Sequence, residues 1–335
     1  MHRRTVLGLA AQSLAVSGLA VPALVIPGHG RAQERYPDRP IRLIVPFPAG
    51  GGTDVWARMV SEDLQAELGQ AIIIENRGGG GGLIGTEVAA KAVPDGYTLL
   101  YNITTHVQAP VTLRRFPYDP VADFFPIGRL GTTAITFCVG PSVPASVTSL
   151  AEFVAWGRGR NLAFGNYGQG STGHAYAVLL AQEAGLKVTQ VAYRGEAPML
   201  QDLLAGSFHG SFNSMTASGE MIRLRRIRPL ATGGPDRVPS LAAEVPTLIE
   251  LGYSRRFDFT GFTGLFAPAR VPAPILGRLT EAFRKVATAP GMLQRLRAID
   301  TIPGYEEPGR FRASVERTLR QWEELAASLD LYATG

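Results

Sequence analysis

The chain has 335 residues, of which 45% are hydrophobic and 18% are charged. This composition excludes an intrinsically disordered chain, and the length indicates a large core divided between two domains. The formal net charge is +5, but residues 1–32 hold three arginines and no acid, so 30 basic and 28 acidic residues remain after them. A balance this close to neutral gives no indication of a nucleic-acid-binding surface. Cys138 is the only cysteine, which excludes an internal disulfide and a cysteine-pair metal site.

The first 32 residues have the pattern of an export signal. Arg3 and Arg4 precede an apolar stretch at residues 6–26, and residues 30–32 form a small-x-small cleavage site. The paired arginines resemble a twin-arginine signal, while an ordinary secretion signal and an uncleaved anchor remain alternatives. We therefore expect a periplasmic protein whose signal is cleaved near Ala32.

A strand, a glycine-rich turn and a helix are predicted for residues 41–68. The apolar run at residues 41–45 ends at Pro46, and three glycines follow at residues 50–52. Thr53 is expected to be the N-cap of the helix, and Asp54 suits the positive end of the helix dipole. Such a turn directs free backbone N–H groups at one spot, which favours an anion such as a carboxylate.

Strands and helices alternate along the rest of the chain, which predicts βαβ units with parallel strands. The strands at 135–140 and 263–267 are each followed by a proline-rich segment and a helix, which indicates that the chain crosses between two lobes twice. Further strands are predicted at 71–74, 97–101, 162–164, 188–193, 207–213 and 227–232, with an arginine-rich helix between the last two. Helices are predicted at 83–92, 149–157, 174–183, 197–204, 274–287 and 310–329.

Nucleotide binding has little support in the sequence. Two G-x-G-x-x-G matches begin at Gly80 and Gly168, but neither of the following strands ends in the acid that a dinucleotide site requires. The P-loop motif is absent. Three strand–glycine loop–helix units, at residues 50–53, 78–85 and 168–172, instead predict an anion clamp with two loops in one lobe and one in the other.

Catalysis also lacks a supporting motif. The histidines after residue 32 are His106, His174 and His209, and their spacing fits no metal site. His106 and His174 are each either packing residues or cleft residues. An exported hydrolase using Ser171 and His174 remains an alternative, although no acid is placed to orient the histidine. We expect no enzymatic activity, no cofactor and no metal ion.

A collinear set of motifs runs through residues 36–247. The set comprises Tyr36-Pro37-x-Arg39-Pro40-Ile41, Val45-Pro46-Phe47-Pro48-x-Gly50-Gly51-x-x-Asp54, Asn76-Arg77, Ala89-Ala90-Lys91-Ala92-x-Pro94-Asp95-Gly96-Tyr97-Thr98-Leu99, Tyr118-Asp119-Pro120-x-x-Asp123-Phe124-x-Pro126-Ile127, Gly170-Ser171-x-x-His174, Tyr193-Arg194-Gly195-x-x-Pro198, Asp202-Leu203-Leu204-x-Gly206 and Val245-Pro246-Thr247. With these motifs the chain resembles the Bug receptors, the extracytoplasmic solute-binding components of tripartite tricarboxylate transporters.

The resemblance implies a type II periplasmic-binding-protein fold, in which two α/β lobes are joined by two crossover strands and close on a ligand. Residues 36–136 plus 260–335 would form lobe 1 and residues 137–259 lobe 2. The protein would be a monomer that captures a small organic carboxylate and delivers it to membrane transporter subunits, with no nucleic-acid partner. A receptor of the same fold that presents its ligand to a sensor kinase is the alternative.

The resemblance also implies where the ligand lies. The loop from Phe47 to Asp54 would hold a ligand carboxylate through main-chain N–H groups, and Phe47 would cover the ligand. The implied ligand-binding residues are Phe47, Ala49, Gly50, Gly51, Gly52, Thr53, Asp54, Thr105, His106, Asn166, Gly170, Ser171, Thr172, His174, Tyr193, Arg194 and Asn213.

The sequence departs from the family pattern in residues 206–213. Where the family commonly has a Gly-Gln-Val-Asp run and a later acid, this chain has His209-Gly210 and Asn213 in place of the two acids. An acid at position 213 would suit a ligand ammonium group, so the neutral Asn213 predicts a preference for carboxylates that lack one.

Overall fold

The computed structural model describes residues 36–114, 117–241, 243–259 and 261–332. The predicted export signal lies outside these ranges. The strands are β1 (Ile41–Val45), β2 (Ile72–Asn76), β3 (Thr98–Ile103), β4 (Phe124–Thr133), β5 (Ile135–Val139), β6 (Asn161–Asn166), β7 (Lys187–Ala192), β8 (Gly210–Ser214), β9 (Arg228–Thr232), β10 (Thr263–Pro268) and β11 (Thr301–Glu306). The helices are α1 (Gly52–Leu68), α2 (Leu83–Ala90), α3 (Thr105–Leu113), α4 (Leu150–Gly157), α5 (Thr172–Ala184), α6 (Glu196–Leu204), α7 (Met215–Arg223), α8 (Ala273–Thr288), α9 (Pro290–Ala298) and α10 (Pro308–Ser328).

The strands form two sheets, one in each lobe. The first sheet has the order β11-β4-β10-β3-β1-β2 and the second the order β7-β6-β8-β5-β9. β1 pairs in parallel with β2 and β3, and β6 pairs in parallel with β7 and β8. The chain passes from the first sheet to the second between β4 and β5 and returns between β9 and β10. The predicted α/β fold with two lobes and two crossovers is confirmed, while the exact lobe boundaries stay a prediction.

Strand β1 fixes the position of the glycine-rich turn that follows it. Ile41, Leu43, Ile44 and Val45 are fully buried, as a strand with parallel neighbours on both sides requires. The loop after β1 therefore emerges at the carboxyl edge of the parallel strands, where open α/β sheets bind their ligands.

Helix α10 packs on the cores of both lobes. Phe311 lies in one hydrophobic cluster with Phe266 of β10, and Trp322 lies in another with Phe137 of β5. The Trp322 indole Nε1–H donates to the Thr112 hydroxyl at 3.2 Å. The predicted amphipathic packing helix is confirmed, and it contributes buried surface to both lobes.

Four elements have no counterpart in the sequence prediction: α3, β4, α9 and β11. The patterns that signal helices and strands are weak there, because α3 contains Pro110 and β4 contains Pro126, Gly128 and Gly131. A Cβ atom at Gly131 would collide with the Ile302 carbonyl oxygen, so close pairing of β4 with β11 requires glycine. None of the helices in the described ranges is long and apolar enough to cross a lipid bilayer.

Replacing Trp322 should destabilise the whole protein. Because the side chain is fully buried, Trp322→Ala is expected to lower the free energy of unfolding by about 3–5 kcal/mol through lost burial and the cavity left behind. Urea denaturation followed by circular dichroism measures the change. Glu323→Ala, at the exposed neighbouring position, is the control and should change stability by less than about 0.5 kcal/mol. Equal effects of the two substitutions would contradict the assigned packing.

Candidate functional site

A cavity of about 160 Å³ lies between the two lobes. Its walls come from the β1–α1 loop, the first turns of α3 and α5, the β4–β5 connection and the segment after β9. A cavity lined by apolar side chains with polar groups among them is the common form of a small-molecule site. The larger apolar side chains that line it are Phe47, Trp56, Ile103, Ile135, Tyr167, Tyr176, Phe259, Phe262 and Ile302. The polar ones are Thr53, Thr104, Gln108, Thr132, Thr133, Thr172, Glu196, Ser214, Asp236 and Thr263.

The β1–α1 loop brings the start of helix α1 to the wall of this cavity. Gly50 turns the chain with a φ of +85°, a conformation that favours glycine. Helix α1 then begins at Gly52, with Gly51 as its N-cap. The prediction that Thr53 is the N-cap is wrong, because the glycines let the chain enter the helix two residues earlier. Of the residues predicted in this loop, the cavity is lined by Phe47, Gly51, Gly52 and Thr53, and not by Ala49, Gly50 or Asp54.

Asp54 holds the loop together and does not line the cavity. Its carboxylate accepts the Gly50 N–H at 3.0 Å, the Arg58 Nε–H at 2.8 Å and an Asn76 amide N–H at 2.9 Å. Asn76 also donates to the Phe47 carbonyl at 3.0 Å. Burial alone would raise the pKa of Asp54, but these three donors outweigh burial and lower it below its usual value. The ionised carboxylate therefore fixes the loop in the shape that exposes the start of α1.

Glu196, which the sequence reasoning missed, places a carboxylate on the cavity wall. Its Oε1 accepts the Ser214 N–H at 2.6 Å, and its Oε2 accepts the Ser214 hydroxyl at 2.8 Å and the Gly52 N–H at 3.2 Å. Gly52 belongs to the first lobe and the other two residues to the second, so the carboxylate bridges the lobes. Burial raises the pKa of Glu196, while the hydrogen bonds from Ser214 and Gly52 act against this rise. Its place directly after Tyr193-Arg194-Gly195, a predicted cleft segment, was the signal that could have identified it.

A second polar contact joins the lobes on the cavity wall. The Gln108 Nε2–H donates to the Thr172 hydroxyl at 3.0 Å. The Gln108 side chain is fully buried, and its Oε1 has no hydrogen-bond partner among the described residues. The hydrogen bond to Thr172 therefore holds this buried side chain at the junction of the two lobes.

The glycine-rich loop of the second lobe is held by its own side chains. The Ser171 hydroxyl accepts the His174 N–H at 3.2 Å, and Ser171 is the N-cap of α5. His174 Nδ1 accepts the Gly170 N–H at 3.2 Å, and Asn166 Oδ1 accepts another N–H of this loop at 3.3 Å. Burial lowers the pKa of His174 to about 4, so its ring is neutral at pH 7. Of the residues predicted here, Thr172 lines the cavity, while Asn166, Gly170, Ser171 and His174 do not.

His106 lies in the core of the first lobe, so the prediction that it lines the cleft is wrong. The ring is fully buried, with its centroid 4.5 Å from that of Phe266 and 4.7 Å from that of Phe124. Its Nε2 is hydrogen-bonded to the Pro120 carbonyl at 2.8 Å. Burial lowers the pKa of His106 to about 4, since a charge there would be desolvated. Thr105, the preceding residue, is also buried and does not line the cavity.

Tyr193, Arg194 and Asn213 do not line the cavity either. The Tyr193 hydroxyl donates to the Asp202 carboxylate at 2.7 Å, and Arg194 is exposed. Asn213 is fully buried in β8, and its amide donates to the Ser211 carbonyl at 2.9 Å. The ligand preference predicted from Asn213 therefore loses its structural basis, because this side chain does not face the cavity.

Comparison with known sequences finds one family over most of the chain. The model described as tripartite tricarboxylate transporter family receptor matches residues 56–331. The UPF0065 protein in the tcbD-tcbE intergenic region of Pseudomonas sp. (strain P51) is 32% identical over 323 residues, covering 95% of this chain and 94% of that protein. Protein BugT of Bordetella pertussis is 30% identical over 316 residues, covering 92% of each chain.

Solved structures match over a similar extent. The periplasmic binding protein BugD superposes with a TM-score of 0.84 at 28% identity, covering 89% of this chain and 99% of that one. The structure of R. palustris Rpa4515 with adipate gives a TM-score of 0.83 at 32% identity, covering 88% of this chain and 98% of that one. MatC (Rpa3494) from Rhodopseudomonas palustris with bound malate gives a TM-score of 0.78 at 28% identity, covering 87% of this chain and 99% of that one.

The lowered pKa of Asp54 predicts a pH-dependent contribution to stability. A carboxylate with a lowered pKa stabilises the fold above its unfolded pKa, and this contribution is lost as the pH falls through its folded pKa. Asp54→Asn should therefore lower the free energy of unfolding by about 2 kcal/mol at pH 7, and by progressively less below about pH 4. Urea denaturation across this pH range measures the difference.

Glu62→Gln is the control, because Glu62 lies on the same helix with its side chain 75% exposed. It should show little effect at any of these pH values. A constant difference between wild type and Asp54→Asn from pH 7 to pH 3 would contradict the role given to Asp54.

Proposed function

The chain belongs to the tripartite tricarboxylate transporter receptor family, and we propose that it binds a small organic carboxylate in the cavity between its lobes. The resemblance to the Bug receptors is confirmed, and the protein is a solute-binding receptor of this family. Two similar structures hold carboxylates, adipate in one and malate in the other. These ligands suggest the same chemical class for this cavity.

The observation that carries the proposal is the start of α1 on the cavity wall. Gly51, Gly52 and Thr53 line the cavity at the positive end of a 17-residue helix. The first N–H groups of an α-helix have no acceptor within the helix, so they favour an anion. Phe47, only 4% exposed, lies beside them and would cover the ligand. Main-chain N–H groups and an apolar cover can hold a carboxylate without a cationic side chain.

Binding without chemical change is the proposed activity. Ser171 and His174, the pair that a hydrolase would use, both serve the backbone of their own loop. The Ser171 hydroxyl receives the backbone N–H of His174, and no described contact joins this hydroxyl to the imidazole ring. The pair therefore has a structural role that explains its position, and the same contacts support a pre-formed ligand loop.

The receptor would act in the periplasm and pass its ligand to membrane transporter subunits. The similar protein BugD is a periplasmic binding protein, and the matching family is one of transporter receptors. Cleavage of the signal near Ala32, a monomeric state and the lobe boundaries at residues 136/137 and 259/260 are parts of the proposal. Closure of the lobes would present the loaded receptor to the transporter.

Carboxylate binding can be tested by differential scanning fluorimetry with a panel of mono- and dicarboxylates, followed by isothermal titration calorimetry. At least one carboxylate should raise the melting temperature, because a ligand that binds only the folded state stabilises it. Native mass spectrometry of freshly purified protein should show the mass of a co-purified acid. Neutral sugars of similar size are the control ligands. A panel in which no acid binds, or in which sugars bind more tightly than every carboxylate, would contradict the proposal.

Removing the Phe47 ring should weaken binding specifically. Phe47→Ala is expected to raise the Kd of the best carboxylate about tenfold to a hundredfold, since burying a phenylalanine against a ligand contributes roughly 1.5–3 kcal/mol. Phe125→Ala, a partly buried residue outside the cavity lining, is the control and should leave the Kd within about twofold. An unchanged Kd in Phe47→Ala would show that the ligand binds elsewhere.

A further inference from the structure

Three helices begin around the carboxylate of Glu196. Gly52 is the first residue of α1, Glu196 is the first residue of α6, and Ser214 is the N-cap of α7. The N–H groups of Gly52 and Ser214 both donate to this carboxylate, at 3.2 Å and 2.6 Å. Each helix N-terminus is equivalent to about +0.5 of an elementary charge, so the three supply roughly +1.5. The chain therefore builds an anion site here and already fills part of it with its own carboxylate.

The remaining part of this site can take one ligand carboxylate. Glu196 uses the Gly52 N–H, but no acceptor in the described ranges contacts the next N–H of α1, that of Thr53. Thr53 lies on the cavity wall. A ligand carboxylate at this N–H would lie at the same helix N-termini as Glu196. These N-termini supply roughly +1.5 elementary charges, which would face the two negative charges of Glu196 and the ligand.

A second ligand carboxylate has no such compensation. Asp236 adds another acid to the wall, and none of the lining residues in the described ranges is Lys, Arg or His. Two like unit charges about 5 Å apart repel each other enough to weaken binding by roughly a hundredfold at an effective dielectric constant of 20. Glu196 would repel the second carboxylate of a dianion in this way. A monoanion has no second carboxylate, and its single carboxylate would lie at the helix N-termini.

The rest of the wall suits a compact apolar body. A cavity of about 160 Å³ is close to the size of an apolar protein cavity that holds benzene, roughly 150 Å³. The aromatic rings that line the cavity are those of Phe47, Trp56, Tyr167, Tyr176, Phe259 and Phe262.

We propose that Glu196 acts as a built-in carboxylate that excludes dicarboxylates and restricts this receptor to monocarboxylates with a compact, aromatic or apolar body. The proposal rests on the proposed function, since it specifies the ligand class of the same cavity.

The test is isothermal titration calorimetry at pH 7 with 4-hydroxybenzoate, phenylalanine, adipate and malate. Wild type should bind 4-hydroxybenzoate or phenylalanine at least tenfold more tightly than either dicarboxylate. Glu196→Ala should reduce this preference at least tenfold by gaining affinity for adipate or malate, because the Gly52 N–H and the helix N-termini become free.

Two further variants make the result interpretable. Glu220→Ala removes a carboxylate of the same lobe that is 57% exposed, and it should leave the preference unchanged. Glu196→Gln keeps the side-chain shape and should shift the preference in the same direction as Glu196→Ala, even where the alanine variant is less stable. Circular dichroism and melting temperatures establish that each variant is folded.

The outcomes separate the two proposals. A wild type that binds adipate or malate as tightly as the monocarboxylates, or a preference that neither Glu196 variant changes, would overturn the role of Glu196 and leave the proposed function standing. A wild type that binds none of these four ligands and no acid of the wider panel would overturn the proposed function itself.

Discussion

Backbone N–H groups at the start of a helix have no acceptor within that helix, and the cavity of this receptor is arranged around such groups. The N-termini of α1, α6 and α7 meet at the Glu196 carboxylate, which accepts from Gly52 of one lobe and Ser214 of the other. The Glu196 carboxylate therefore links the two lobes at this point. The chain supplies one carboxylate itself, and the ligand is proposed to supply the other.

The loops that bear these groups are stabilised from behind by side chains that never reach the cavity. Asp54 and Asn76 tie the β1–α1 loop, while His174 and Ser171 tie the loop before α5. Such pre-organisation lowers the conformational-entropy cost of ligand binding, because the loops are ordered before the ligand binds. It also explains why residues with the appearance of catalytic or ligating groups can be needed for binding without touching the ligand.

The local part of this arrangement was predictable from the sequence, and the long-range part was not. Apolar runs and glycine-rich turns predicted β1 and α1, because these depend on neighbours within a few residues. Glu196 meets Gly52 across 144 positions of sequence, a pairing that no local pattern encodes. His106 follows a strand and has a polar ring, yet the aromatic residues that enclose it come from distant segments, so its burial could not be read from its own surroundings.

The central claim, that one ligand carboxylate binds beside Glu196 at the start of α1, is tested most directly by a crystal structure with bound 4-bromobenzoate. Anomalous scattering locates the bromine atom without ambiguity and so fixes the direction in which the ligand lies. The account predicts the carboxylate within hydrogen-bond distance of the Thr53 N–H, with Glu196 still accepting the Gly52 N–H and the bromine among the aromatic side chains. A carboxylate bound outside this cavity, or one that takes the Gly52 N–H and displaces Glu196, would contradict it.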